Sequence, residues 1–170
     1  MAMVGLFCIA EDGEVYVGGE PEGYARGVRL TRGGLEGLGT GQGGRWSWAD
    51  VRAVVVRDVR VRSSARLLAS TAVDLALTVA MGGTDVPGAF EVHVETADGT
   101  VELDAYAAPA LGGYVQSEYD LSIDLLDRFV AGTADVGVLA EWGRTHAREG
   151  TPRREEREAL LREWAGDAEG

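Results

Sequence analysis

Two Asp-Gly pairs, Asp12-Gly13 and Asp98-Gly99, each set between short runs rich in β-branched and aromatic residues, constrain this chain more than any other feature. Both positions of a two-residue hairpin turn take positive φ, which Asp and Gly tolerate, so each pair predicts two adjacent antiparallel strands. The first hairpin joins residues 4–11 to 14–18 and sets Ile9 opposite Tyr16 and Cys8 opposite Val17. Both of its faces are apolar, so it is expected to be buried. The second joins residues 90–97 to 100–107. Phe90, Val92, Val94, Leu103 and Ala105 form its apolar face, while Glu91, His93, Glu95, Glu102 and Asp104 form the polar one, with His93 opposite Asp104 and Glu95 opposite Glu102.

Glycine supports a β-rich amino-terminal part. Of 170 residues 25 are Gly, concentrated before residue 113, which predicts many turns and short strands. Residues 27–31 and 35–38 read as short strands. Residues 46–61 read as one long strand with Val51, Ala53, Val55, Val59 and Val61 on one face. Residues 66–81 predict an amphipathic helix through Leu68, Leu75 and Val79, with a buried strand left open for part of the run.

Beyond residue 113 the period changes. Leu121, Leu125 and Phe129 recur four apart between Ser117, read as an N-cap, and Gly132, read as a stop, which predicts a helix over 117–131. A second helix is expected over 135–148, with Val138, Leu139 and Trp142 inward. From Thr151 a cap followed by Pro opens a charged third segment, whose narrow stripe is Leu160, Leu161 and Trp164. Such a helix is marginal alone, so the stripe docks either on this chain or on a partner. The expected organisation is a β domain with a capping helix over 1–131, a second helix packed on it over 132–149, and a charged helical tail over 150–170.

The run Gly27-Val28-Arg29-Leu30-Thr31-Arg32-Gly33-Gly34-Leu35, then Arg45-Trp46-Ser47-Trp48-Ala49-Asp50-Val51-Arg52-Ala53-Val54, then the hairpin around Asp98-Gly99 and an amphipathic helix, resembles bacterial pleckstrin-homology-like domains. The resemblance covers roughly residues 4–131. It implies an α+β fold: a bent antiparallel β-sheet or barrel, here with an inserted apolar segment over 63–88 and C-terminal helices. It also implies a binding or scaffolding module without catalytic residues or cofactors. Phosphoinositide-binding members place basic residues in the loop after the first strand. The corresponding loop here, Glu11-Asp12-Gly13-Glu14, is acidic, so a phosphoinositide partner is not expected.

Composition closes several chemistries. All 16 basic residues are Arg; the absence of both Lys and Asn suggests a GC-rich genome and removes any Schiff-base lysine, P-loop lysine or Ser-Lys dyad. The single cysteine, Cys8, cannot form an intramolecular disulfide or a thiolate-rich zinc site. Net charge is −12, which disfavours nucleic acid. The longest apolar run, from Leu67 through Met81, is too short for a spanning helix and contains Asp74, so the chain is expected to be cytoplasmic and without a membrane span. That same run exceeds what one helix face buries, and self-association through it is expected.

Each candidate site carries a plain reading beside a functional one. Gly39-x-Gly41-x-x-Gly44 matches a dinucleotide fingerprint, but a tryptophan pair and a valine-rich strand follow it instead of a helix, so it reads as a connection. His93 with Asp104 suggests a hydrolase pair only if a nucleophile joins them; otherwise it is an exposed cross-strand pair. The acids Glu118, Asp120, Asp124 and Asp127 read as a solvated helix face, not a metal site. Residues 26–66 hold nine Arg against Glu36, Asp50 and Asp58. These cations either neutralise the acidic helices or, as Arg52, Arg60, Arg62 and Arg66, form a site for an anion or acidic partner. Trp46 and Trp48 share one side of an extended segment, as core residues or as a peptide platform. The expected function is a non-enzymatic protein-interaction or scaffolding module; the alternative is an immunity-type acidic protein that masks a basic toxin or enzyme.

Overall fold

Short antiparallel strands joined by glycine turns make up the amino-terminal part of the computed structural model, which describes residues 1–62, 88–108 and 114–167. Strands β1 (Ala2–Val4), β2 (Phe7–Ile9), β3 (Val15–Val17), β4 (Gly27–Leu30), β5 (Gly34–Leu38) and β6 (Gly44–Ser47) form a six-stranded sheet in sequence order. Strands β7 (Val51–Arg57), β9 (Ala89–Thr96) and β10 (Gly99–Tyr106) form a second sheet, ordered β10-β9-β7. A short parallel pair, β8 (Val61–Arg62) with β11 (Tyr114–Val115), leads into helices α1 (Gln116–Ala131), α2 (Val136–His146) and α3 (Arg154–Ala165). The α+β expectation holds as two antiparallel sheets with three helices, and the described strands do not close into a barrel. The residue 67–81 run, Arg66 and the side chain of Arg62 lie outside the described residues.

Both Asp-Gly hairpins form, but in different registers from those the two-residue turn predicts. At the first, Ala10 N donates to Glu14 O at 2.9 Å around a three-residue loop that ends at Gly13, φ 91°. The extra loop residue moves the pairing by one, so Cys8 faces Tyr16 and Phe7 faces Val17. A one-residue slip exchanges the two faces of a strand. It is tolerated here because residues 2–10 are all buried. Nor is 4–11 one strand: Gly5, φ 58°, turns β1 back onto β2.

At the second hairpin Gly99 pairs with Thr96, a shift of two, which preserves the faces; Phe90, Val92, Val94, Leu103 and Ala105 are buried as expected. The cross-strand partners change, however. His93 lies opposite Glu102 and Glu95 opposite Thr100.

The long strand expected over 46–61 is divided. Asp50 N donates to Ser47 O at 2.9 Å in a tight turn, which sends β6 into the first sheet and β7 into the second. A bulge between Val51 and Ala53 then inverts the alternation, so Val51, Val54 and Val56 are buried and Val55 is only half-buried. Asp58, φ 63°, follows the end of β7.

Helix α1 presents Leu125, Leu126 and Phe129 to the core and ends at left-handed Gly132. Its N-cap is Val115, not Ser117, whose hydroxyl donates to Glu158 instead. Phe129 meets Phe7 edge-on at 6.2 Å and Trp48 at 6.0 Å, closing the space between the sheets. Helix α2 starts from Asp135, whose carboxylate accepts from Gly137 N. It buries Val136, Leu139 and Gly143, while Val138, expected inward, is 48% exposed and Trp142 is half-buried. Helix α3 starts at Arg154; Thr151, expected to cap it, accepts from Met3 N at 3.0 Å. Leu161, Trp164 and Ala165 bury α3 against this chain, and Arg157 makes a bidentate pair with buried Glu118 of α1 at 2.9 and 2.6 Å.

Candidate functional site

The arginines of the basic section are dispersed, and most are engaged. Arg26 pairs with Asp104, Arg29 with Glu14 and Glu36, Arg45 with Glu36, and Arg32 with Asp135. These pairs are mostly within the β part, with Glu36 belonging to the basic section itself, and of the four only Arg32 reaches an acid of the helices, at the N-cap of α2. Arg52 stands at the start of β7 and Arg60 beyond its end. Roughly 17 Å of extended chain separates positions 52 and 57.

Arg52 does join Trp46 in an open cleft of about 500 Å³, between β6, the turn into β7 and the β9–β10 turn, with Arg45, Asp50 and Asp98 at its rim. Trp48 goes elsewhere. It lies past the end of β6, its indole Nε1 donates to Thr31 O at 3.0 Å, and its ring packs on Phe129. Both tryptophans are half-buried against the core, and only Trp46 also lines the cleft. Opposite charges from Asp50, Asp98, Arg45 and Arg52 leave this cleft without a dominant sign.

A larger open cleft, about 770 Å³, lies between α2 and α3. On α2, Val138, Trp142 and His146 are spaced four apart and form a stripe displaced from the buried stripe of Val136, Leu139 and Gly143. On α3, Glu156, Leu160 and Glu163 form the facing stripe, beside the buried face of Leu161 and Trp164. Trp142 stacks on His146 at 5.4 Å and meets Trp164 edge-on at 5.8 Å. Arg32, held by Asp135 at 3.8 Å, lies over Gly137 at the amino end of α2.

Of the tail stripe, then, Leu161 and Trp164 are buried in this chain, and half-buried Leu160 lines the cleft. Val138, Trp142, His146, Glu156 and Glu163 were not singled out by sequence as a site. The signal was present as two apolar stripes on one helix: α2 needs only one to dock, and Val138 with Trp142 belongs to the other.

The pairing of His93 with Asp104 is absent. His93 Nε2 bonds Glu91 Oε2 at 2.8 Å on its own strand, while the Asp104 carboxylate takes Arg26. The glycine run 39–44 is a hairpin connection between β5 and β6. Among the described residues no group of three or more His, Cys, Asp or Glu is placed to hold a metal, and no helix is long and apolar enough to cross a membrane. Comparison with family models, curated proteins and solved structures finds no significant match.

Proposed function

We propose that this chain is a non-catalytic protein-interaction module whose contact surface is the α2–α3 cleft. The observation that carries the reading is Val138, a large aliphatic residue 48% exposed at an open cleft that Trp142, Leu160 and Trp164 also line. Aromatic and aliphatic side chains on helix faces are the usual anchors of helix-mediated protein contacts. The pleckstrin-homology-like reading of residues 4–131 belongs to the same proposal. Its support is the succession of antiparallel hairpins followed by α1 packed on β7.

The immunity-type alternative rests on charge. A chain of net −12, with Glu141, Glu156 and Glu163 lining its cleft, is complementary to a basic protein surface. Inhibition of a toxin encoded beside this gene would support it, and failure to inhibit would remove it.

The test of the main reading is capture of partners from native lysate by the full chain, by Val138→Asp and by Arg52→Glu. A stoichiometric partner lost with Val138→Asp and kept with Arg52→Glu supports the cleft. Loss with Arg52→Glu alone moves the surface to the Trp46 and Arg52 cleft, and the absence of any partner overturns the module.

A further inference from the structure

The carboxylates of Glu156 and Glu163 pair with no cation among the described residues, although α3 carries arginines of its own. Glu158, on the α1 side of the same helix, accepts from Ser117 and pairs with Arg154 and Arg162, and these contacts hold its carboxyl below the usual range. The α3 arginines are thus turned towards Glu158 and, through Arg157, towards Glu118. Two carboxylates are left on the cleft side, flanking Leu160 and facing the stripe of Val138 and Trp142.

We infer that the α2–α3 cleft receives a basic segment of a partner protein, an amphipathic stretch whose arginine or lysine side chains lie across Val138 and Trp142 and reach Glu156 and Glu163. This inference rests on the interaction-module reading and names the chemistry of its partner. The long apolar stem of Arg or Lys covers aliphatic and aromatic surface while its head stays with carboxylates. One face of the Trp142 ring is stacked on His146, so it is the remaining apolar surface of Trp142, with Val138, that such a stem covers. An acidic segment or a nucleic-acid backbone would bring like charge against Glu156, Glu163 and the net charge of −12. Arg32 lines the amino end of the cleft and offsets part of this charge there, but Asp135 lies beside it at 3.8 Å, and Glu156 and Glu163 remain unpaired along α3.

The experiment uses the uniformly nitrogen-15-labelled full chain and three synthetic amphipathic peptides, identical except that their polar face is arginine, glutamine or glutamate. The indole Nε1 signals of the four tryptophans are followed, with Trp142→Phe to assign one of them. The arginine peptide is expected to move the Trp142 and Trp164 signals and to leave Trp48, whose Nε1 is bonded inside the fold, in place. The glutamate peptide is expected to move none. Glu156→Gln with Glu163→Gln should weaken the arginine peptide about tenfold, the size expected of two partly exposed charge pairs, and binding should fall with added salt. Equal binding by the double variant, or by the glutamine peptide, overturns the basic partner and leaves the interaction reading standing. If no peptide moves Trp142 or Trp164, the inference falls. The interaction reading is then decided separately by the Val138→Asp capture.

Discussion

The side-chain amide of Gln42 is hydrogen-bonded to both backbone groups of Asp104: Nε2 donates to the carbonyl at 2.9 Å, and the Asp104 amide donates to Oε1 at 2.9 Å. Nε2 also donates to Gly27 O at 3.1 Å. A side chain thus supplies a rung between β4 of the first sheet and β10 of the second, beside the Arg26–Asp104 pair.

Gln42→Leu keeps the volume and removes all three bonds, leaving two carbonyls and one amide without partners near the sheet junction. A loss of about 2–3 kcal/mol is expected, since each buried polar group stripped of its partner costs about 1–3 kcal/mol and part of this edge can rehydrate. Gln42→Glu should lose nearly as much, because a carboxylate accepts from the Asp104 amide but cannot donate to either carbonyl. Urea denaturation reads both. A variant within about 0.5 kcal/mol of the native chain would mean that packing, the Gly19 N to Tyr106 O bond and the Arg26–Asp104 pair hold the sheets without Gln42.

None of that junction was legible beforehand, because Gln42 sits within Gly39-x-Gly41-x-x-Gly44 and a long-range bond across 62 residues leaves no local trace. Apolar periodicity was legible wherever one face is buried. The faces of the second hairpin and the inward stripe of α1 follow directly from their residues. Register was not, because an Asp-Gly pair does not say whether its loop holds two residues or three, as at the first hairpin. Nor does it say which two, as at the second, where the turn is Ala97-Asp98 and Gly99 already pairs with Thr96. The bulge between Val51 and Ala53 likewise inverts which valines are buried with no change in composition. The α2–α3 cleft was half legible: Trp142, expected inward, is half-buried and packs on the core, whereas Val138, placed with it, is 48% exposed at the cleft.

Helix α3 is fastened by Glu118 and Arg157, and Arg157 also donates to Pro152 O at 2.7 Å. Removing one partner of a buried pair leaves the other charged and without compensation, so Glu118→Ala should cost about 3–5 kcal/mol. Glu118→Met combined with Arg157→Leu should recover a large part of the loss, leaving the Pro152 carbonyl to water. Hydrogen exchange is expected to show α3 opening first in Glu118→Ala, and peptide binding at the cleft to weaken with it although no cleft residue has changed. Equal protection of α3 in both forms would show that Leu161 and Trp164 suffice.

Stability should fall in mild alkali. Burial pushes the Cys8 thiol up from its ordinary 9.0 to about 11. The folded state then keeps a proton that the unfolded chain releases, so the contribution is complete below about pH 9 and is lost as pH rises towards 11. The slope is at most about 1.4 kcal/mol per pH unit for one proton. Burial also pushes the Tyr114 hydroxyl up from 10.0 to about 12, which adds a loss in the same direction beginning one unit higher. Urea midpoints measured from pH 7 to 11 should therefore be level, then decline from about pH 9. Cys8→Ala, though weaker throughout from the lost volume, should stay level to about pH 10. An unchanged profile in that variant would assign the decline to other groups.

Two glycines of α2 should respond in opposite ways to the same substitution. In a helix interior Ala is favoured over Gly by about 1 kcal/mol, a gain open in full to Gly143→Ala and only in part to Gly137→Ala, which lies in the first turn. At Gly143 a new Cβ would stand 2.5 Å from Ile9 Cγ2 and 2.8 Å from Ala10 O, where α2 rests on the first sheet. Neither neighbour can withdraw, since Ile9 is fully buried and Ala10 is backbone in the hairpin, so Gly143→Ala should end about 1–3 kcal/mol less stable. At Gly137 the obstacle is the guanidinium of Arg32, the far end of a mobile, largely exposed side chain. Arg32 can swing aside at the cost of one long surface ion pair, worth little, so Gly137→Ala should be neutral or more stable by a few tenths of a kcal/mol. The displaced cation would also leave the amino end of the cleft more negative, which should tighten the arginine peptide slightly. Melting curves of the two variants decide the first point: equal shifts would mean that α2 does not rest on β2 through Gly143. Titration of Gly137→Ala with the arginine peptide decides the second.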